Sequence, residues 1–329
     1  MKKQQNERGE DVLVRLGYVA MSMELEDCSP SKTITVKHYE HIQGEEARIG
    51  RLRRITGENL KNLARLLYYN AANGVHLFRI TSKLVPLATH PLAAGWDYIA
   101  DLQDEFAKVG SIAKENKMRI SSHPDHFTLI NSPRQEVIEA SLRDLDYHEK
   151  VFQAMGLDHA EMVMHVGGMY GSREQSVKRF AENFRKLPDG IRKRLLLEND
   201  DKIYGAADVL GICEELSIPM VLDVHHHMCC NNGEGLGDIL QRVYNTWGER
   251  LPKLHFSSPR SEKNCRAHAD DIDFDSLYRF LKTAREFDRD IDIMVEAKNK
   301  DRALFSLMGR FKETAGIEVV GGASFLVCT

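Results

Sequence analysis

Five apolar runs in this chain each end in a residue that can ligate a metal ion, and no other feature narrows the possible folds as far. Met162-Val163-Met164 precedes His165, Leu195-Leu196-Leu197 precedes Glu198, and Met220-Val221-Leu222 precedes Asp223. Pro252-Lys253-Leu254 precedes His255, and Ile293-Met294-Val295 precedes Glu296. Short apolar runs of this kind read as parallel strands buried on both faces. The five terminal residues lie 33, 25, 32 and 41 residues apart, the spacing of βα units. Carboxylates and imidazoles are ligands that divalent metals accept. The third run continues into Val224-His225-His226-His227, which adds imidazoles at the same strand end.

The remaining chain supplies three further strands. Val12 to Tyr18 alternates towards a first, Val75 to Ile80 reads as a second, and Met118 to Ser122 as a third that ends in His123-Pro124-Asp125-His126-Phe127. Helices are expected from about Thr56 to Asn73, Trp96 to Asn116 and Pro133 to Met155, the last with Ser132 and Gln135 as a capping box. Ser172 and Gln175 form a second capping box, for a helix that Pro188 stops. Further helices fit near 207–216, 236–247, 274–287 and 301–312. The stretch 21–54 reads as a long connection with a basic cluster, Arg51, Arg53 and Arg54, which is either a solvated face or a phosphate contact. Residues 1–11 are expected to be a disordered lead, and 12–312 a single α/β domain, a (β/α)8 TIM barrel. The tail 313–329 has no assigned role. A doubly wound sheet would place ligands at one switch point, whereas here nearly every strand end carries one.

Composition removes several classes. The formal charge of −4 argues against a broadly basic nucleic-acid binder, although bound divalent ions would reverse the sign of an acidic cleft. No apolar run approaches the roughly 18 residues of a membrane span, and the polar start lacks a signal-peptide core. Six cysteines without CxxC spacing suggest neither a disulfide framework nor a zinc ribbon, so a reducing cytoplasm is the expected compartment. Cys229 and Cys230 adjoin the histidine triplet, but nitrogen and oxygen ligands already abound.

In a (β/α)8 barrel all strand C-termini face one rim. His123, His165, Glu198, Asp223, His255 and Glu296 therefore converge, with His226 and His268 on the same rim. Any one of them alone is more simply a hydrogen-bonded core histidine or a carboxylate paired with arginine. Eight together are different, because clustered carboxylates without cations would repel and take up protons. Glu198 and Asp223 sit mid-series, where a carboxylate can bridge two ions. Such pairs suit phosphodiester hydrolysis, and also the two oxygens of a sugar enediol.

The chain resembles the ultraviolet-damage endonucleases, a family similar in fold and metal site to barrel endonucleases of the endonuclease IV type. The likeness runs from about Val12 to Lys300. It is carried by Leu16-Gly17-Tyr18, Leu77-Phe78-Arg79-Ile80, Thr89-His90-Pro91, Ser122-His123-Pro124, His165-Val166-Gly167-Gly168 and Leu197-Glu198-Asn199-Asp200. Leu222-Asp223 with His226-His227, Lys253-Leu254-His255, Ala267-His268-Ala269 and Val295-Glu296-Ala297-Lys298 complete it.

The resemblance implies three divalent ions, with manganese preferred. One would be held by His123, His165 and Glu198, a second by Glu198, Asp223, His255 and Glu296, and a third near His226 and His268, with His90 close by. Glu198, Lys253 and Glu296 would be catalytic, Lys253 matching a lysine that either carries a carboxylate modification beside the metals or contacts phosphate. Tyr18 is either a DNA or lesion contact or a core tyrosine. His126-Phe127 stand where the family often has a glutamine-tyrosine pair that wedges into the duplex, and Ser22 where it can have asparagine. The implied activity is repair: recognition of photoproducts in ultraviolet-damaged double-stranded DNA and cleavage on their 5′ side, by a monomer without a membrane partner. The alternatives are a metal-dependent sugar isomerase or epimerase on the same barrel, and a non-catalytic, metal-loaded lesion-binding protein.

Overall fold

In the computed structural model, which describes residues 11–328, eight parallel strands close on themselves. They are β1 (Val12–Val19), β2 (Leu77–Arg79), β3 (Arg119–Ser122), β4 (Glu161–His165), β5 (Leu195–Glu198), β6 (Met220–Asp223), β7 (Lys253–Phe256) and β8 (Ile291–Val295). Hydrogen bonding runs from β2 through to β8 and on to β1, which pairs again with β2. With helices in the connections, this is a (β/α)8 barrel. The apolar runs form its wall, and Val163, Leu196, Leu197, Val221, Leu222, Leu254 and Ile293 have no accessible surface. The expected lead falls, for residues 1–10, outside the described residues.

Several boundaries differ from the sequence expectation for identifiable reasons. The first long helix is Glu45–Ala72 and begins well before Thr56, because Leu52 and Ile55 extend the buried stripe of Leu60, Leu63 and Leu67. The basic cluster therefore lies on a helix, where Arg51, Arg53 and Arg54 are exposed and Arg53 pairs with Asp101 at 2.7 Å. The next helical stretch is broken at Leu102 into Tyr98–Asp101 and Gln103–Glu115. Ser132 does not cap a helix. Its Oγ accepts from Arg134 N at 3.2 Å in a local turn, and the helix starts at Gln135. Ser172 does cap, accepting from Gln175 N at 3.1 Å.

The unassigned tail forms a hairpin, β9 (Ile317–Gly321) and β10 (Ser324–Val327), and joins the sheet. β2 is only three residues long and pairs with the upper part of β1, Gly17 to Val19. The lower part, Val12 to Arg15, takes β10 as an antiparallel partner instead. Phe325 is fully buried, its ring 4.3 Å from that of Phe311. Among the described residues no helix is long and apolar enough to cross a membrane, and the six cysteines are unbridged.

Candidate metal centre

The carboxylate of Glu198, almost fully buried at the end of β5, is the hub of the rim. Its Oε2 lies 3.2 Å from His123 Nε2 and 3.8 Å from His165 Nε2, while Oε1 lies 2.7 Å from His255 Nδ1. Two sets of residues bring ligand atoms within 4.8 Å of one another: His123, His165 and Glu198, and Glu198, Asp223 and His255. Glu198 belongs to both.

The backbone aims these rings. His123 Nδ1 is 2.9 Å from Pro124 O, His165 Nδ1 3.3 Å from Glu198 O, and His226 Nδ1 2.9 Å from Asn199 O. A carbonyl only accepts, so each Nδ1 carries a proton, which leaves Nε2 as the nitrogen that can lose its own to a metal. That arrangement orients imidazoles for a metal. Two buried polar atoms of the second set, Asp223 Oδ2 and His255 Nε2, have no hydrogen-bond partner. Unpaired buried polar atoms are costly, and a cation fits this donor set.

The histidine triplet is not a continuation of the strand. β6 ends at Asp223, whose Oδ1 accepts from His226 N at 2.7 Å and caps a short helix, Val224–Cys229. Successive helical residues point about 100° apart, so the three rings diverge. His226 faces the cluster, with Nδ1 3.8 Å from Asp223 Oδ2 and 3.9 Å from Glu198 Oε1. His225 turns away to Ser257 Oγ at 2.7 Å and Cys265 O at 2.6 Å. His227 is buried, and its Nδ1 has no partner.

Electrostatics follow from burying many charges together. Burial opposes ionisation of Glu198, but His255 and His165 facing it hold it well below the usual range. Burial opposes ionisation of Glu296 too, 11% of whose side chain is exposed, yet Arg79 and His255 hold it at about 2. Burial pushes Asp223 up to about 7, with Glu198 and Glu296 reinforcing it against His226. For His226 burial works against the charged ring, but Asp223 and Glu198 prevail and raise it to about 9. Without a cation, the Asp223–His226 side of the cluster retains protons at neutral pH.

The other expected site residues are distributed unevenly. Glu296 Oε1 is 3.1 Å from His255 Nδ1, and its Oε2 is 3.8 Å from His268 Nδ1. The rings of His226 and His268 are 6.2 Å apart, and neither belongs to the two tight sets. His90 Nδ1 accepts from Leu92 N at 3.2 Å, capping the turn Pro91–Ala93, and is also outside both. Tyr18 is packed as a core tyrosine, fully buried against Phe78 with its hydroxyl donating to Asn70 Oδ1 at 2.5 Å. Lys253 is also fully buried, two positions before His255 on β7, and donates to Glu161 at 2.6 Å. Burial lowers it to about 8 against the pull of Glu161. It is closed off from solvent beneath the metal rim. His126 and Phe127 are at the surface, Phe127 69% exposed, with rings 3.9 Å apart. Their loop is tethered by Asp144 Oδ2, which accepts from Asp125 N at 3.1 Å and Thr128 Oγ1 at 2.5 Å.

Two contributors escaped the sequence. Arg79, at the end of β2, donates to Glu296 Oε1 at 2.5 Å; its signal was a strand-end position equivalent to those of the ligands. The Asn199 side chain bonds both backbone groups of Asp223, accepting from its N at 2.9 Å and donating to its O at 3.0 Å. No pattern in the sequence marks that role. A groove of about 490 Å³ runs over the cluster, lined by His123, His126, His165, Tyr170, His226 and Arg266 among others.

Comparison with known proteins bears on this groove. The family model described as UV-endonuclease UvdE matches residues 14–325. A UV DNA damage endonuclease of Bacillus cereus (strain B4264) is 42% identical over 315 residues, covering 95% of this chain and 99% of the relative. The crystal structure of SacUVDE superposes with a TM-score of 0.81 at 34% identity, covering 91% of this chain and 98% of that one. Endonuclease IV from Thermus thermophilus shares the fold, with a TM-score of 0.56 at 16% identity over 91% of this chain and 100% of that one.

Proposed function

The chain belongs to the UV-endonuclease UvdE family, and from that membership we propose that it finds cyclobutane pyrimidine dimers and 6-4 photoproducts in duplex DNA and hydrolyses the phosphodiester on their 5′ side. It is an endonuclease acting on damaged DNA. The observation that carries the finer reading is the sharing of Glu198 between two ligand sets. Three divalent ions are proposed, manganese preferred, and when bound they supply water activation and neutralisation of the phosphoryl oxygens.

The chain's own residues divide the remaining work. His123 and His165 hold one side of Glu198, and Asp223, His255 and Glu296 the other. His226 and His268 are proposed as ligands of the third ion, with His90 at its margin. Arg79 fixes the Glu296 carboxylate by direct donation. Glu198, Glu296 and Lys253 are proposed as the catalytic residues, Lys253 acting from beneath the metals on β7, where it would carry the carboxylate modification. Above the groove, His126 and Phe127 are proposed to fill the gap left when damaged nucleotides leave the stack. Residues 12–312 are proposed as the catalytic barrel, acting as a monomer, with 313–329 closing its lower edge.

Nicking of irradiated supercoiled plasmid, after chelation and with manganese restored, tests the reading. Nicking confined to irradiated, manganese-containing samples is expected, and an end-labelled duplex with one dimer locates the cut. Equal nicking of unirradiated plasmid would overturn the lesion specificity, and cutting on the 3′ side the proposed polarity.

A further inference from the structure

At the mouth of the barrel opposite the metal centre, a group of charges surrounds the foot of Lys253 and extends to the surface. Glu161, at the start of β4, accepts from Lys253 at 2.6 Å, Arg119 at 2.8 Å and Arg250 at 2.6 Å. Asp292 on β8 accepts from Arg15 at 2.7 Å and 2.8 Å and from Arg119 at 2.8 Å. Four cations thus share two carboxylates, both buried. Even without Lys253, three arginines face two acids. Lys253 and Arg119, the two cations largely withdrawn from water, balance the two carboxylates, and Arg15 and Arg250, 31% and 46% exposed, carry the surplus at the surface.

Arg15 and Arg119 also line a cavity of about 500 Å³, together with Lys114, Lys117 and His159. Asp158 is the one carboxylate on its wall among the described residues. Lys114 and Lys117 form no ion pair with any described residue. The backbone makes room for one of them: Gly156 has φ +63°, and a Cβ there would stand 3.0 Å from Lys114 Nζ. Arg15 spends Nε and Nη2 on Asp292 and keeps Nη1 for a ligand.

We propose that this cavity is an anion site for a phosphate group, carried by inorganic phosphate or by a small phosphoester. Guanidinium and ammonium groups lining one cavity suit a tetrahedral dianion better than chloride. The volume exceeds that of a bare phosphate and leaves space for an attached group. DNA lying on the metal rim does not reach it, because the length of β3, roughly 13 Å at about 3.3 Å per residue, separates Arg119 from the segment holding His123.

Isothermal titration of the manganese-loaded full chain with inorganic phosphate and with adenosine monophosphate tests the site, alongside the double substitution Lys114→Ala/Lys117→Ala. Both lysines are exposed, so the variant should fold, and nicking of irradiated plasmid should be unchanged. Phosphate should raise the melting temperature more than chloride at equal ionic strength, and the double variant should bind it at least tenfold more weakly. Tighter binding of the nucleotide identifies a phosphoester as the occupant, and equal or weaker binding identifies free phosphate. The proposal is overturned if the variant binds phosphate as the wild type does, which places the ion at the metal centre, or if chloride reproduces the stabilisation.

Discussion

Glu198 and His255 meet at 2.7 Å across the barrel rim, through Oε1 and Nδ1, while the other oxygen of the same carboxylate is turned to His123. One side chain thus links imidazoles delivered by β7 and by the loop after β3. Glu198→Ala should therefore cost more than one ion per chain and abolish nicking. Full metal content in the variant, measured by inductively coupled plasma spectrometry, would show that the carboxylate does not bridge.

His226 and His268 are expected to serve a single ion. Replacing either by alanine should remove about one metal, and replacing both should remove no more, because partners in one site are non-additive. Loss of two ions from the double variant would separate them.

Phe127 is anchored near the metal ligands yet open to solvent. A base stacked on an aromatic side chain is worth roughly 1–3 kcal/mol, so Phe127→Ala should weaken binding to irradiated duplex by roughly tenfold to a hundredfold. Binding to undamaged duplex rests on phosphate contacts and should change little. Equal loss on both, at one fixed salt concentration, would reject the wedge.

Asp223 and His226 make the metal-free protein sensitive to pH. Both have folded-state values raised above their ordinary ones, to about 7 and about 9. A raised value contributes stability that is fully present at low pH and lost as pH rises towards the folded value. Between about pH 6.5 and pH 8, above the range of the histidines that burial holds low and below that of Lys253, the chelated protein should thus lose melting temperature, and metal binding, which needs the deprotonated groups, should tighten over the same interval. A chelated protein that becomes more stable across this range would contradict the assignment.

The charges around Glu161 offer an asymmetric test. Glu161→Gln leaves Lys253, Arg119 and Arg250 facing a neutral group and should cost about 3–5 kcal/mol, the range for breaking a buried pair. Lys253→Met removes one of the three cations on Glu161 and should cost less. Urea denaturation of the two variants reads the order directly, and the reverse order would mean that the remaining arginines do not balance Glu161.

Much of this was legible in the chain because a parallel barrel strand is short, apolar and ends where the ligands begin. His165, Glu198, Asp223, His255 and Glu296 follow from that alone. Tyr18 was ambiguous because a strand residue near a rim can face either way, and only packing against Phe78 and Asn70 decides it. The His225–His227 run read as strand because nothing in it signals a helix; the cap is Asp223, itself a proposed ligand. Lys253 lies in an apolar run whose partner, Glu161, is 92 residues away, and such pairings are invisible to local pattern. The tail stayed unassigned because its partner strand lies at the other end of the chain.

That last pairing has a consequence for synthesis. Val12 of β1 finds its partner only in Val327 of β10, so the lower edge of the barrel cannot be sealed until nearly the whole described chain has left the ribosome. Contacts so remote in sequence carry a large loop-closure cost and slow folding. During translation β1 therefore has an open edge below Gly17, exposed to wrong strands until the hairpin arrives, and an unpaired strand edge of this kind favours misassembly.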